Sequence, residues 1–129
     1  MKIGWSFYVS VGVHSYNGQH LNYTVVAPWV RLNDTATFTL LRNRMYQLSL
    51  EVANDGIFDL TSVAAELVGV PQGFTVDRRR VGIGSVSVGS GEGQSFVLTT
   101  PPEPGDYLIE LRVSSKELER SYSLQIIVT

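Results

Sequence analysis

From Tyr46 to Val128 the chain alternates apolar and polar residues in one short run after another, and each run stops at Gly, Pro, Asn or Asp. Tyr46, Leu48, Leu50 and Val52 fall on one side, with Gln47, Ser49, Glu51 and Ala53 on the other. Tyr107, Ile109, Leu111 and Val113 repeat the pattern, then Tyr122, Leu124, Ile126 and Val128. A period of two sends alternate side chains to opposite faces of a pleated sheet. Roughly eight to ten short strands at this spacing, with turn signals between them, predict an all-β antiparallel sandwich of two sheets. Such a core leaves little room for a reaction cleft.

The length of 129 residues fits one domain. A chain of this size buries roughly two-thirds of its unfolded surface, enough for a core without staples. The net charge of -2 provides no broad basic surface, which argues against nonspecific nucleic-acid binding. The sequence has no cysteine, so disulfides, thiolate metal sites and cysteine nucleophiles are excluded. No apolar run reaches the roughly 18 residues of a membrane-spanning helix. The start, Met1 to Ser6, alternates and lacks the apolar stretch of a secretory signal. Two readings of Met1 are open: a native cytosolic start, or a start that replaces an upstream signal or anchor.

Along the chain, the first expected strand runs from about Lys2 to His14 and the second from Gln19 to about Leu32. Between them, Asn17-Gly18 is a strong hairpin signal. A three-residue loop, Tyr16 to Gly18, pairs Val13 with Leu21, Val9 with Val25 and Trp5 with Trp29, and makes one face uniformly apolar. Pro28 cannot donate to a ladder, so the second strand bends or lies at an edge there. Further strands are expected at Thr35 to Leu41, Met45 to Asn54, Thr61 to Val70, Phe74 to Asp77, Val81 to Val88, Gln94 to Thr100, Asp106 to Val113 and Arg120 to Thr129. The segment Thr61 to Val70 is apolar on both faces and would also suit a helix; strand is preferred because its neighbours are strands. Gly89 to Gly93 reads as a loop.

Four motifs stand in a familiar order. They are Asn54-Asp55-Gly56 after a strand, Val70-Pro71-Gln72-Gly73-Phe74-Thr75-Val76, Gly91-Glu92 before an alternating strand, and Pro104-Gly105-Asp106-Tyr107. In this order the chain from Tyr46 onward resembles archaeal and bacterial surface Ig-like modules. It is similar to the CARDB-type cell-adhesion-related domains and to the Ig-like domains appended to alpha-galactosidases. The resemblance implies an Ig-like or fibronectin-like sandwich over 35–129, with the hairpin of 1–32 added to it. It also implies an extracellular or cell-surface setting, without catalytic residues or cofactor, and favours the reading in which Met1 replaces a signal or anchor.

Candidate chemistry is sparse. In the three-residue register His14 and His20 face each other, but a metal site needs a third ligand, and exposed polar residues are the simpler reading. No Gly-x-Ser-x-Gly elbow appears. Glu51, Glu66, Glu103, Glu110, Glu117 and Glu119 are scattered as solvated-face residues are. The glycines from 82 to 93 lead into a strand and not into a helix, so they suit turns and bulges better than a phosphate loop. Trp5, Phe7, Tyr23 and Trp29 form an aromatic stripe in the expected register; buried, it is half the core, and exposed, it would stack on sugar rings or on a protein. Arg78, Arg79 and Arg80 make an unusually basic corner that could grip an acidic group. Asn22 and Asn33 stand in glycosylation acceptor patterns.

The expected function is therefore a non-catalytic surface module with a structural, adhesive or protein-binding role. Its partner would be another protein or a further copy, met by pairing at a strand edge; a surface-layer or filament subunit is one form of this. The alternative is a carbohydrate-binding accessory domain. The partner-binding candidates are Trp5, Trp29, Arg78, Arg79 and Arg80, with no metal, cofactor or nucleic acid expected.

Overall fold

The computed structural model describes residues 4–15 and 25–129, and of 25–29 the backbone alone. Ten strands follow one another among these residues: β1 (Phe7–Ser15), β2 (Val25–Arg31), β3 (Thr35–Leu40), β4 (Met45–Asn54), β5 (Leu60–Val68), β6 (Thr75–Val76), β7 (Arg80–Val86), β8 (Gly91–Thr99), β9 (Gly105–Ser114) and β10 (Glu119–Val128). They form two five-stranded sheets, β2-β1-β4-β8-β6 and β3-β10-β9-β5-β7. Thr61 to Val70 resolves to strand β5, with a bulge between Leu60 and Val63 where Ser62 takes φ 53°.

The alternation places the core. Leu48, Leu50 and Val52 of β4, Phe96 and Leu98 of β8, Ile109, Leu111 and Val113 of β9, and Leu124, Ile126 and Val128 of β10 are all at most 2% exposed. These rows meet between the sheets in one layer, as in sandwiches generally. Each fully buried Leu or Phe contributes about 1.5–3 kcal/mol of transfer free energy.

The N-terminal hairpin joins the first sheet rather than standing apart from it. Strand β1 pairs along its whole length with β4, from Phe7↔Asn54 to Ser15↔Tyr46. Phe7, Val9, Val11 and Val13 enter the shared core. The expected hairpin register is not the observed one. Val13 pairs with Ala27 and Val11 with Val30, so Pro28 and Trp29 together oppose Gly12 alone. At His14↔Val25, beside the loop, the pairing is already five residues away from the expected His14 with His20, and the two bulges, one between Val13 and His14 and one at Pro28, widen this to seven at Val11↔Val30. The backbone of Trp29 thus lies level with Gly12 and not with Trp5. The loop, Leu21 and Tyr23 lie outside the described residues.

One ladder departs from the antiparallel expectation. Strand β3 leaves the first sheet after Leu32, whose N–H still bonds to Val9 O, and runs parallel to β10 from Thr35↔Ser123 to Leu40↔Val128. Strand β8 begins earlier than expected, at Gly91. A Cβ on Gly91 would lie 3.1 Å from Glu51 Oε1, and one on Gly93 would lie 3.0 Å from Leu50 O. These glycines are strand residues that let β8 approach β4 closely.

Among the described residues, two polar ones are buried in this core, Asn54 and Thr100. Asn54 Nδ2 donates to Phe58 O (3.0 Å) and to Val86 O (2.9 Å), while Oδ1 accepts from Gly56 N (3.0 Å). Its backbone N–H donates to Ser90 O, and its carbonyl accepts from Gly89 N. One side chain so fastens β4 of the first sheet to β7 of the second, and every polar atom on it is used. At the other end, Thr100 Oγ1 donates to Leu41 O (2.6 Å) and accepts from Arg44 N (3.0 Å), closing the β3–β4 turn. Tyr107 OH donates to Glu103 O (2.7 Å), the same device as the tyrosine corner of Ig-type sandwiches.

Replacing Asn54 tests this fastening. Asn54→Ala leaves the Phe58 and Val86 carbonyls unmet and should cost about 2–4 kcal/mol in urea unfolding. Asn54→Asp should cost more at neutral pH, because a buried carboxylate would face two carbonyl oxygens. Its extra penalty should shrink as the pH falls and the carboxyl takes up a proton, which parallel urea titrations would show.

Candidate functional site

The residues singled out by sequence fall in separate places. Trp5 is half-buried before β1 and packs on the core. Its ring meets Phe58 at 4.8 Å between centroids, tilted by 32°. Gly4 makes this docking possible, with φ +97° and an O that accepts from Ile57 N, while any Cβ on it would strike the Phe58 ring. Phe7, from the same predicted stripe, is 1% exposed. The side chain of Trp29, with His20 and Asn22, lies outside the described residues. Asn33 is exposed in the β2–β3 connection.

The basic corner is partly structural. Arg78 Nη2 donates to Ser95 O (3.0 Å), and its Nε lies 3.7 Å from Asp77 Oδ2. Asp77 takes up Val97 twice: its N–H donates to Val97 O, and its Oδ1 accepts from Val97 N, both at 2.9 Å. Arg79 supplies its carbonyl to Leu67 N, and Arg80 lies in register with Glu66 on β5. Arg78 thus engages β8 through its guanidinium, while Arg79 and Arg80 meet β5 through the backbone.

Other charges are placed in the same structural way. Arg112 lies 2.9 Å from Glu110 and 3.1 Å from Glu119 on the outer face of the second sheet. Glu117, in the β9–β10 turn, accepts from Thr61 Oγ1 (2.7 Å) and Thr61 N (3.0 Å). The Thr61 hydroxyl, then its backbone N–H, hold the Glu117 carboxyl below the usual carboxylate range. Among the described residues no group of three or more His, Asp and Glu could hold a metal ion.

Two shallow grooves lie side by side on the outer face of the first sheet. One, of about 410 Å³, is lined by Gln47, Ser49, Glu51, Gly93 and Ser95 among others. The next, of about 390 Å³, includes Tyr8, Glu51, Ala53, Asp55 and Ser90. The Arg31 guanidinium lies over the Tyr8 ring, 4.1 Å from its centroid.

The edges of the sheets are the more distinctive feature. Strand β6 has only two residues, and beyond it Asp77 and Arg78 occupy the Val97 and Ser95 backbone groups of β8. On β7, Gly84 takes φ +91° at an irregular ladder, and Gln94 Nε2 covers Gly82 O at 3.2 Å. Strand β2 carries Pro28 and two irregularities. Bulges, proline, shortness and side-chain caps are known means of blunting an edge. Among the described residues, strand β3 has none of them. Ser123 N donates to Asp34 O and Thr129 N donates to Leu40 O, each at 2.9 Å. In this parallel ladder alternate residues turn both backbone groups toward the same neighbour. Ala36, Phe38 and Leu40 thus face β10, and the N–H and C=O of Thr35, Thr37 and Thr39 point away from the sheet. The sequence reading expects a partner at a strand edge without saying which strand. The signal was available as a strand, Thr35 to Leu40, without charge, proline or glycine.

Glu117 gives a testable titration. A depressed carboxyl pKa in the folded state adds stability that is complete above the unfolded value and is lost as pH falls through the folded value. Proton titration followed by NMR should find Glu117 below the usual carboxylate range. Glu117→Gln should weaken the chain at neutral pH and flatten this part of its acid dependence; an ordinary titration for Glu117 would refute the assignment.

No family model matches the chain, and no curated protein matches it in sequence. Solved structures do match in shape. The secreted serine protease VesC from Vibrio cholerae aligns at TM-score 0.52 and 16% identity, over 71% of this chain and 21% of the protease. A family 123 glycoside hydrolase from Clostridium perfringens aligns at TM-score 0.46 and 12% identity, over 71% of this chain and 22% of the hydrolase. This chain thus spans about a fifth of each enzyme. The CARDB domain of the PF1109 protein from Pyrococcus furiosus, solved in complex with di-metal ions, aligns over 100% of this chain and 93% of that one. Its TM-score is 0.52 and its identity 13%. The fold of this chain is accordingly a CARDB-like two-sheet β-sandwich.

Proposed function

We propose that this chain is a non-catalytic, extracellular or cell-surface module that meets another protein by accepting an extended segment at the β3 edge. The single observation that carries the reading is the outward row of Thr35, Thr37 and Thr39 backbone groups on an unguarded strand. Main-chain bonding supplies affinity in strand addition, and alternate side chains supply selectivity. The shape shared with part of a secreted protease supports an extracellular setting. The dispersed carboxylates and the shallow grooves support a role without catalysis. Arg79 and Arg80, both exposed, are the remaining candidates for an acidic feature on a partner. The alternative of sugar binding draws no support from the grooves, since the face of Tyr8 is taken by Arg31.

Hydrogen exchange tests the reading in dilute protein. The amides of Thr35, Thr37 and Thr39 should exchange at least about tenfold faster than those of Ala36, Phe38 and Leu40. Adding a short capped peptide of alternating Thr and Val should slow the odd-numbered set and leave the even-numbered set unchanged. Odd amides that are already protected without peptide, or that stay unprotected in its excess, would count against strand addition here.

A further inference from the structure

The open edge is complementary to itself. Residues 35 to 39 read Thr-Ala-Thr-Phe-Thr, with threonine at both ends and at the centre. We propose that β3 pairs antiparallel with β3 of a second copy across a two-fold axis at Thr37, joining the two second sheets into one continuous sheet. This rests on the reading that the β3 edge is where a partner binds, and it names that partner.

Backbone direction selects the register. Only Thr35, Thr37 and Thr39 turn their N–H and C=O outward, so an antiparallel partner must offer the same odd positions. With Thr37 opposite Thr37, Thr35 of each copy lies opposite Thr39 of the other, and all three outward residues find hydrogen-bonded pairs. Shifting the axis along the strand leaves at least one outward residue without a partner. The side chains agree with this register. Threonine meets threonine at each of these positions, a favourable cross-strand pair. Between them, half-buried Ala36 meets Phe38 of the other copy, small against large. The ends agree as well. Asp34 precedes the strand and Arg42 follows it, both exposed. Antiparallel pairing brings the acidic end of each copy to the basic end of the other, whereas parallel pairing would bring like ends together. The strand itself is uncharged, so no like charges face each other across the axis.

Sedimentation velocity over a concentration series should show a monomer–dimer equilibrium. Thr37→Pro removes an outward N–H that β10 does not use, and should weaken the dimer by about tenfold or more while the β-sheet circular dichroism persists. Thr37→Lys keeps the N–H and places two cations face to face; it should weaken the dimer too, and serves if the proline variant does not fold. The register has its own test, helped by the absence of native cysteine. With a short bifunctional thiol reagent, Thr37→Cys should cross-link to itself. Thr35→Cys alone should not, because its two copies would lie roughly 14 Å apart along the strand. A mixture of Thr35→Cys with Thr39→Cys should cross-link. A chain that stays monomeric at millimolar concentration would overturn the inference, as would a dimer indifferent to both Thr37 variants. In either case, protection of the odd amides by the Thr-Val peptide would leave the strand-addition reading standing, and its failure would remove both.

Discussion

Two rows of side chains sharing one layer govern this molecule. Each sheet is apolar on a single face, so neither can exist in water without the other. Leu50, Phe96, Leu111 and Leu124 are excluded from solvent because partners across the layer fill the space around them. Close packing of this kind fills the layer between the sheets, and the two grooves described above are shallow depressions on the outside of the first sheet. Such a core has polar ends to seal, and Asn54 and Thr100 seal them. Asn54 joins the last residue of β4 to the end of β7, and Thr100 joins the β3–β4 turn to the residue after β8. The loops that these residues hold are therefore part of the architecture.

Edges present the complementary problem. An open sandwich has four of them, and each one exposes backbone groups that another chain can use. On one side of the molecule, Gln94, Asp77 and Arg78 spend their side chains covering those groups. On the other side β2 is broken at Pro28, and β3 beside it is smooth. The contrast within one molecule is what gives the bare strand its meaning. Among the described residues, polar protection is used at several edge sites and none of it falls on β3.

Much of this could be read from the sequence. Strands β4, β9 and β10 appeared almost to the residue, because each has one wet face and one dry face. The ambiguity over Thr61 to Val70 also had a physical source: Ala64 and Ala65 are consecutive yet both buried, so alternation fades there. Pro28 marks the irregularity in β2, but the β1–β2 register itself is not legible, since His14 pairs with Val25 where the Asn17-Gly18 turn signal implies a much tighter loop. Gly91 and Gly93 read as loop because glycine serves turns and close strand contacts equally. The parallel partnership of β3 with β10 has no local signature at all. Asn54 reads as the residue that closes its strand, although it also continues the inward series of Tyr46, Leu48, Leu50 and Val52, and a polar residue in that series is the available clue to its buried role. Thr100 continues Phe96 and Leu98 in the same manner. For the candidate site, the basic and aromatic residues were conspicuous by type, but their neighbours in space, Ser95 and Phe58, come from distant parts of the chain.

The parallel course of β3 and β10 also sets where the chain enters and leaves. Gly4 lies by the loop after Asn54, whereas Thr129 bonds to Leu40 and Arg42 at the far end of the sandwich. A pull between these two points would run along the strands. The ladder bonds of β1 with β4, and of β10 with its two neighbours, would resist it together in shear, and none would open singly like a zipper. Load applied between these two points would therefore fall on many bonds at once.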